Sequence, residues 1–239
     1  MCSSDLKGVK TMKTYKFIFF DADDTLFDFK KSESHAFKKL LSEFDLEFNF
    51  ENYIESYRNI SDKLWLDLEK NIITLNELKL LRFELFANKI SLDVDSETLS
   101  KMYLNFLGEC TFLIPGAIDI LQYIKKKYTI VIITNGISAV QKKRLENSKI
   151  KGYIDGMVVS EELKISKPNP EIFKYALKKF NCHDKSSALM IGDSLTSDVL
   201  GGINSGIDTC WLNSNNSINY TNHIPTYEIN TLIELKKLL

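Results

Sequence analysis

Short runs of consecutive apolar residues punctuate the chain, separated by segments whose apolar positions recur at helical spacing. Five such runs, at 17–20, 130–133, 157–159, 188–191 and 209–212, are bounded by polar residues or glycine and predict buried strands of a parallel sheet. Between the later runs, Phe173, Ala176, Leu177 and Phe180 fall on one helical face, with Asn169 placed to cap that helix and Pro170 suited to its first turn. From residue 130 onward the order is strand, helix, strand. That order predicts an α/β fold with right-handed crossovers and a doubly wound parallel sheet.

The stretch from Asp28 to Thr111 holds no comparable strand run. Three helical stripes occupy it: Phe37, Leu40, Leu41 and Phe44; Leu78, Leu81, Leu85 and Phe86; Leu99, Tyr103, Phe106 and Leu107. A helical insert is therefore expected directly after the first strand, with the sheet region resuming near Leu113. The Asn- and Ser-rich residues 213–219 read as a surface loop before a C-terminal helix. Residues 1–11 are polar and unpatterned and are set aside from fold reasoning.

Composition narrows the function classes. The chain has 239 residues, 44% hydrophobic and 26% charged, which is the make-up of a folded globular protein and not of a disordered one. Its 31 basic and 32 acidic residues leave a net charge of −1, so no overall field draws it to nucleic acid or to an acidic membrane surface. No apolar run approaches the roughly 20 residues that span a bilayer, and the start lacks the apolar core of a secretory signal. A cytoplasmic location is expected. Cys2, Cys110, Cys182 and Cys210 form no C-x-x-C pair, so reduced thiols are expected in place of a zinc or redox site.

Two acidic groups follow predicted strands. The first is Asp21, Ala22, Asp23, Asp24, Thr25; residues i and i+2 of extended chain share a side, so Asp21 and Asp23 would face one pocket at a strand's carboxyl end. Carboxylates this close persist when a cation neutralises them, when one is protonated, or when the site is wet. An acidic loop capping the next element is the plainer reading. The second group runs from Gly192 through Asp193 and Ser194 to Asp198. If the two strands are adjacent, their carboxylates converge on a hard, oxygen-seeking ion, for which Mg²⁺ is the natural candidate. Thr134, Asn135 and Gly136 end a third strand, and Lys167 precedes Pro168. A hydroxyl, free backbone N–H groups and an ammonium are what a phosphate dianion needs around its oxygens.

Taken in order, these four motifs resemble those of the haloacid dehalogenase-like (HAD) hydrolase superfamily, and the helical insert resembles its C1-type cap. The resemblance implies a core domain of residues 12–27 and 112–239 and a cap of residues 28–111. It implies that Asp21 is the nucleophile, forming an aspartyl-phosphate, and that Asp23 is the acid and base. Mg²⁺ would be held by the carboxylates of Asp21 and Asp193 and the main-chain carbonyl of Asp23. Thr134, the Asn135 N–H and Lys167 would hold phosphate oxygens, with Asp198 orienting a metal-bound water or Lys167. The segment containing Leu64, Trp65, Glu69, Asn71, Thr74, Glu77, Arg82 and Phe83, and the tail from Gly201 to Trp211, are similar to the pyrimidine nucleoside 5′-monophosphate phosphatases.

That similarity implies a small phosphomonoester substrate, a nucleoside monophosphate above all, with no nucleic-acid or membrane partner and a monomeric or homodimeric protein. Phosphatase or mutase action on sugar phosphates is the alternative. Haloacid dehalogenation is disfavoured because Asp23 is present, a residue that a halide leaving group does not require. Schiff-base chemistry would need a cap lysine, but Lys63, Lys70 and Lys79 read as solvated surface charge. A phosphoryl-receiving signalling module is disfavoured by the helical insert. Tyr57, Arg58, Asn59 and Trp65 are candidate contacts to the leaving group.

Overall fold

Residues 14–239 are described in a computed structural model. The polar extension 1–11 and Cys2 lie outside the described residues. β1 (Phe17–Phe20) leads straight into four helices, α1 (Phe29–Ser42), α2 (Phe50–Glu69), α3 (Leu75–Ile90) and α4 (Ser96–Glu109). The chain then returns through α5 (Ala117–Ile124), β2 (Thr129–Thr134), α6 (Ser138–Asn147), β3 (Gly156–Val159), α7 (Ser160–Leu163) and α8 (Pro170–Lys179). It ends with β4 (Ala188–Gly192), a π-helical turn (Leu195–Val199) running into α9 (Leu200–Ser205), β5 (Asp208–Leu212), β6 (Tyr227–Ile229) and a 3₁₀ turn (Leu232–Lys237).

All six strands are parallel, in the order β3-β2-β1-β4-β5-β6. The five expected strands are present, and they read as apolar runs because both faces are covered. Alternate side chains supply the two layers. Ile18, Phe20, Ile130, Ile132, Leu189 and Ile191 pack beneath α5 and the C-terminal turn, while Phe19, Val131, Ile133 and Met190 pack against Ile172, Phe173 and Ala176 of α8. The Asn169 side chain accepts from the Glu171 N–H and Pro170 opens α8, as its sequence predicts.

The helical insert has its own core, in which Phe37, Tyr57, Phe83, Phe86 and Tyr103 pack ring against ring. Three of its four helices begin where side chains satisfy the first N–H groups: Asp28 caps α1, Thr74 and Glu77 form a capping box on α3, and Asp95 caps α4. Ile137 and Val140, at the start of α6, join this cluster and bind the insert to the sheet region.

Three details differ from the sequence pattern. The buried face of α3 is Leu78, Arg82, Phe83, Phe86 and Ala87, while Leu85 is 46% exposed. One turn beyond Leu78 the helix places an arginine, so a search for apolar residues steps off the true face. The surface loop 213–219 leads into β6 before the final turn, an edge strand too short to show a period. Lys79 is paired with Glu161 of α7 and is not a solvated charge.

Among the described residues no helix is long and apolar enough to cross a membrane. Cys110, Cys182 and Cys210 are buried free thiols.

Phe19 lies on the central strand with none of its surface exposed. Phe19→Ala is expected to lower stability by about 3–5 kcal/mol in urea unfolding with an unchanged denaturant slope. A loss under about 1 kcal/mol would show that this layer is not the close-packed core described here.

Candidate active site

Because β1 lies between β2 and β4, three strand ends open side by side at one edge of the sheet. Pairing of Phe20 with Ile191 sets Asp21 next to the Gly192–Asp193 turn, and the Asp21 N–H continues the ladder by donating to the Ile191 carbonyl at 2.9 Å. The chain then folds back sharply: Asp24 takes a left-handed conformation (φ 54°), and the Phe27 N–H donates to the Ala22 carbonyl at 2.8 Å. Asp24 accepts from the Phe29 N–H at 3.1 Å, so Asp24 and Asp28 both serve the start of α1. The capping reading holds for these two. Asp21 and Asp23 have other partners.

Lys167 is the hub. The residue is 3% exposed, and its ammonium donates to Asp21 Oδ1, to Asp198 Oδ1 at 2.7 Å and to the Ile133 carbonyl at 2.7 Å. Its backbone is clamped by the Asn135 amide, which donates to the Lys167 carbonyl and accepts from the Lys167 N–H, both at 2.9 Å. Thr134 Oγ1 accepts from the Gly136 N–H at 3.0 Å, which leaves its O–H available as a donor. Asp198 also accepts from the Ser194 N–H at 3.1 Å. Gly192 permits this closure, since a Cβ there would lie 2.1 Å from Asp198 Oδ2. Asp193, partly exposed, receives Thr25 Oγ1 at 3.4 Å, and its carbonyl accepts from Trp211 Nε1 at 2.8 Å.

Oxygens of Asp21, Asp193 and Asp198 all lie within 4.8 Å of one another. Burial pushes the Asp21 carboxyl well up, opposed by Lys167 and reinforced by Asp198, Asp193 and Asp23. Burial, with Asp198 and Asp24, pushes Asp193 up to about 7. Lys167 keeps its proton because two carboxylates outweigh the cost of burying the ammonium. Three carboxyl groups meet around one ammonium, and this all-oxygen donor set fits a hard divalent cation such as Mg²⁺.

Asp23 is held by groups that carried no signal in the sequence. One oxygen accepts from Arg144, the other from Gln141 Nε2 at 2.5 Å. Arg144 is fully buried against the Phe27 ring and also donates to the Cys110 carbonyl and to Ser32 Oγ. Gln141 and Arg144 are one helical turn apart on the buried face of α6, and only that packing identifies them. Gly136 gives Gln141 its room, because a Cβ there would lie 2.2 Å from Nε2. In the insert, Tyr57 is buried and stacked on Phe37, Arg58 is paired with Glu33, Asn59 is exposed and Trp65 is half-buried.

The family model for haloacid dehalogenase-like hydrolases matches residues 15–206. The chain belongs to this family. Across 225 residues it is 38% identical to the pyrimidine 5′-nucleotidase YjjG of Escherichia coli, covering 94% of this chain and 98% of that one. Identity to the pyrimidine 5′-nucleotidase PynA of Streptococcus pneumoniae is 36%, over 90% of this chain and 91% of the other. Among solved structures, Bacillus subtilis YfnB, a HAD-hydrolase described as bound to magnesium, superposes with a TM-score of 0.88 at 34% identity, covering 95% and 99% of the two chains. The six-stranded parallel sheet and its flanking helices are thus those of a HAD hydrolase.

With no divalent ion, folded Asp193 retains a proton that the unfolded chain has already released by about pH 5. This contribution to stability falls as pH rises toward 7 and stays lost above it. In EDTA the Tm is therefore expected to rise as pH is lowered from about 8 to 5 through this contribution, and added Mg²⁺ to raise Tm more at pH 8 than at pH 5. A Mg²⁺ increment that is larger at the acid end would contradict this assignment of charge.

Proposed function

We propose that the chain is a Mg²⁺-dependent phosphomonoester hydrolase acting through an aspartyl-phosphate, with pyrimidine nucleoside 5′-monophosphates as its substrates. The observation that carries this reading is the convergence of Asp21, Asp193, Asp198 and Lys167 at adjacent strand ends. The names of YjjG and PynA support the substrate class. An Asp21 oxygen attacks phosphorus and the ester oxygen leaves; Asp23 gives that oxygen a proton and then takes one from the water that splits the acyl phosphate. Lys167 Nζ, the Thr134 hydroxyl and the Asn135 N–H stabilise the phosphoryl oxygens as charge develops on them. Mg²⁺, held by Asp21, Asp193 and the Asp23 main-chain carbonyl, would supply the positive charge that lets an anionic nucleophile meet an anionic phosphoryl group. Asp198 acts by fixing Lys167.

Arg144 and Gln141 give the Asp23 carboxyl group a defined direction. Asp23 also favours an alcohol over a halide as leaving group, since a halide leaves without a proton. Within this reading residues 28–111 form the cap that closes over the leaving group, residues 12–27 and 112–239 form the catalytic core, and the protein works in the cytoplasm as a monomer or homodimer.

p-Nitrophenyl phosphate should be hydrolysed with Mg²⁺ and not in EDTA, and Asp21→Asn should abolish turnover. Asp23→Asn is expected to lower kcat about 10²- to 10⁴-fold for alkyl phosphates such as nucleotides, and less for the acidic p-nitrophenol leaving group. In a panel of phosphomonoesters, UMP, CMP and dTMP should give higher kcat/KM than AMP, GMP or sugar phosphates. Preference for sugar phosphates would replace the nucleotide reading, and full activity of Asp21→Asn would refute the mechanism.

A further inference from the structure

Within the helical insert, Arg82 of α3 is 3% exposed, and its Nε–H and Nη2–H donate to no acceptor. Its faces are covered: the rings of Phe83 and Tyr103 each lie 5.1 Å from Cζ. The Glu33 carboxylate feels the Arg82 charge, but it accepts from Arg58 Nε at 2.6 Å. A buried guanidinium edge with two parallel donors and no acceptor is a costly arrangement unless something else fills it.

The position of Arg82 points to what fills it. Glu33 follows Ser32, whose hydroxyl accepts from Arg144, and Arg144 holds Asp23. One turn before Arg82, Lys79 donates to Glu161 at 2.5 Å, and the other Glu161 oxygen accepts from the Ser138 N–H, three residues beyond Asn135. One line of contacts therefore runs from the acid–base aspartate and another from the phosphate-binding loop, and both reach the segment that carries Arg82. Both lines link the segment that carries Arg82 to residues of the site. Glu33 already lies within the field of Arg82, so the unpartnered edge calls for a neutral acceptor more than for a second anion.

We infer that Arg82 is a specificity-determining residue whose unpartnered Nε–H and Nη2–H edge donates to the 2-carbonyl oxygen of a pyrimidine base. That oxygen carries two lone pairs, is common to cytosine, uracil and thymine, and has no counterpart at the same place in adenine. The inference rests on the nucleotide reading given above. Two aromatic rings flank the guanidinium, so a base lacking this oxygen would leave two donors unmet, which is how a polar site rejects a near-isostere.

The test compares kcat/KM for UMP, AMP and p-nitrophenyl phosphate in the wild-type protein, Arg82→Met and Arg82→Lys, with Tm measured for each. Arg82→Met is expected to lose about 10²-fold more for UMP than for p-nitrophenyl phosphate, largely through KM, and Arg82→Lys to recover less than about tenfold of that selective loss. An equal loss on every substrate would mark Arg82 as a packing residue and overturn the inference. The unaltered protein provides a second measurement that no folding defect can obscure. Its kcat/KM for a UMP analogue with C2–H in place of the 2-carbonyl should fall about 10²-fold, and equal turnover of the two compounds would overturn the inference even if Arg82→Met does not fold. If the wild-type protein hydrolyses p-nitrophenyl phosphate but no pyrimidine nucleotide, the substrate reading fails and this inference falls with it. If UMP is a good substrate and the ratios do not move, the Arg82 assignment alone fails.

Discussion

A single buried ammonium ties the site together. Lys167 has three protons and three acceptors, and these come from three parts of the chain: Asp21 after β1, the Ile133 carbonyl on β2 and Asp198 beyond β4. Burial makes each bond obligatory, since a buried charge with a missing partner is strongly destabilising. The lysine therefore fixes the spacing of the strand-end loops as well as contributing charge. It cannot balance all of the acid around it. With Asp193 drawn into the same cluster, three carboxyl groups share one ammonium, an all-oxygen donor set that fits a divalent cation.

A second buried cation does comparable work on the other side. Arg144 holds Asp23 while contacting Ser32 near the start of the helical insert and the Cys110 carbonyl at its end. The carboxylate assigned to proton transfer is thereby joined to both junctions of the insert. The sheet thus carries groups whose positions are fixed by the strand register, and the helical insert is tied to them through one buried arginine.

How much of this could be read in advance depended on periodicity. The strands at 130–133 and 188–191 are buried on both faces, so they appear as unbroken apolar runs, and the acidic residues that follow them stand out by contrast. β6 spans Tyr227–Ile229, with only Ile229 deeply buried, and leaves no such trace. On α3 the apolar stripe departs from the buried face because Arg82 occupies a core position, where its guanidinium lies against two aromatic rings. Gln141 and Arg144 were invisible for a related reason: on a polar helix such as α6, nothing local separates a buried polar residue from a solvated one.

By itself the sequence determined which residue types follow each strand, the alternation that yields a parallel sheet, and the helical character of residues 28–111. These depend on neighbours within a few positions, where spacing and side-chain chemistry act directly. Tertiary structure alone decided that β1 and β4 are adjacent, which acidic residues share Lys167, and which polar side chains turn inward to hold Asp23 or leave an edge open at Arg82. Those outcomes are set by contacts between residues far apart in the chain, through burial and the need of each enclosed charge for a partner.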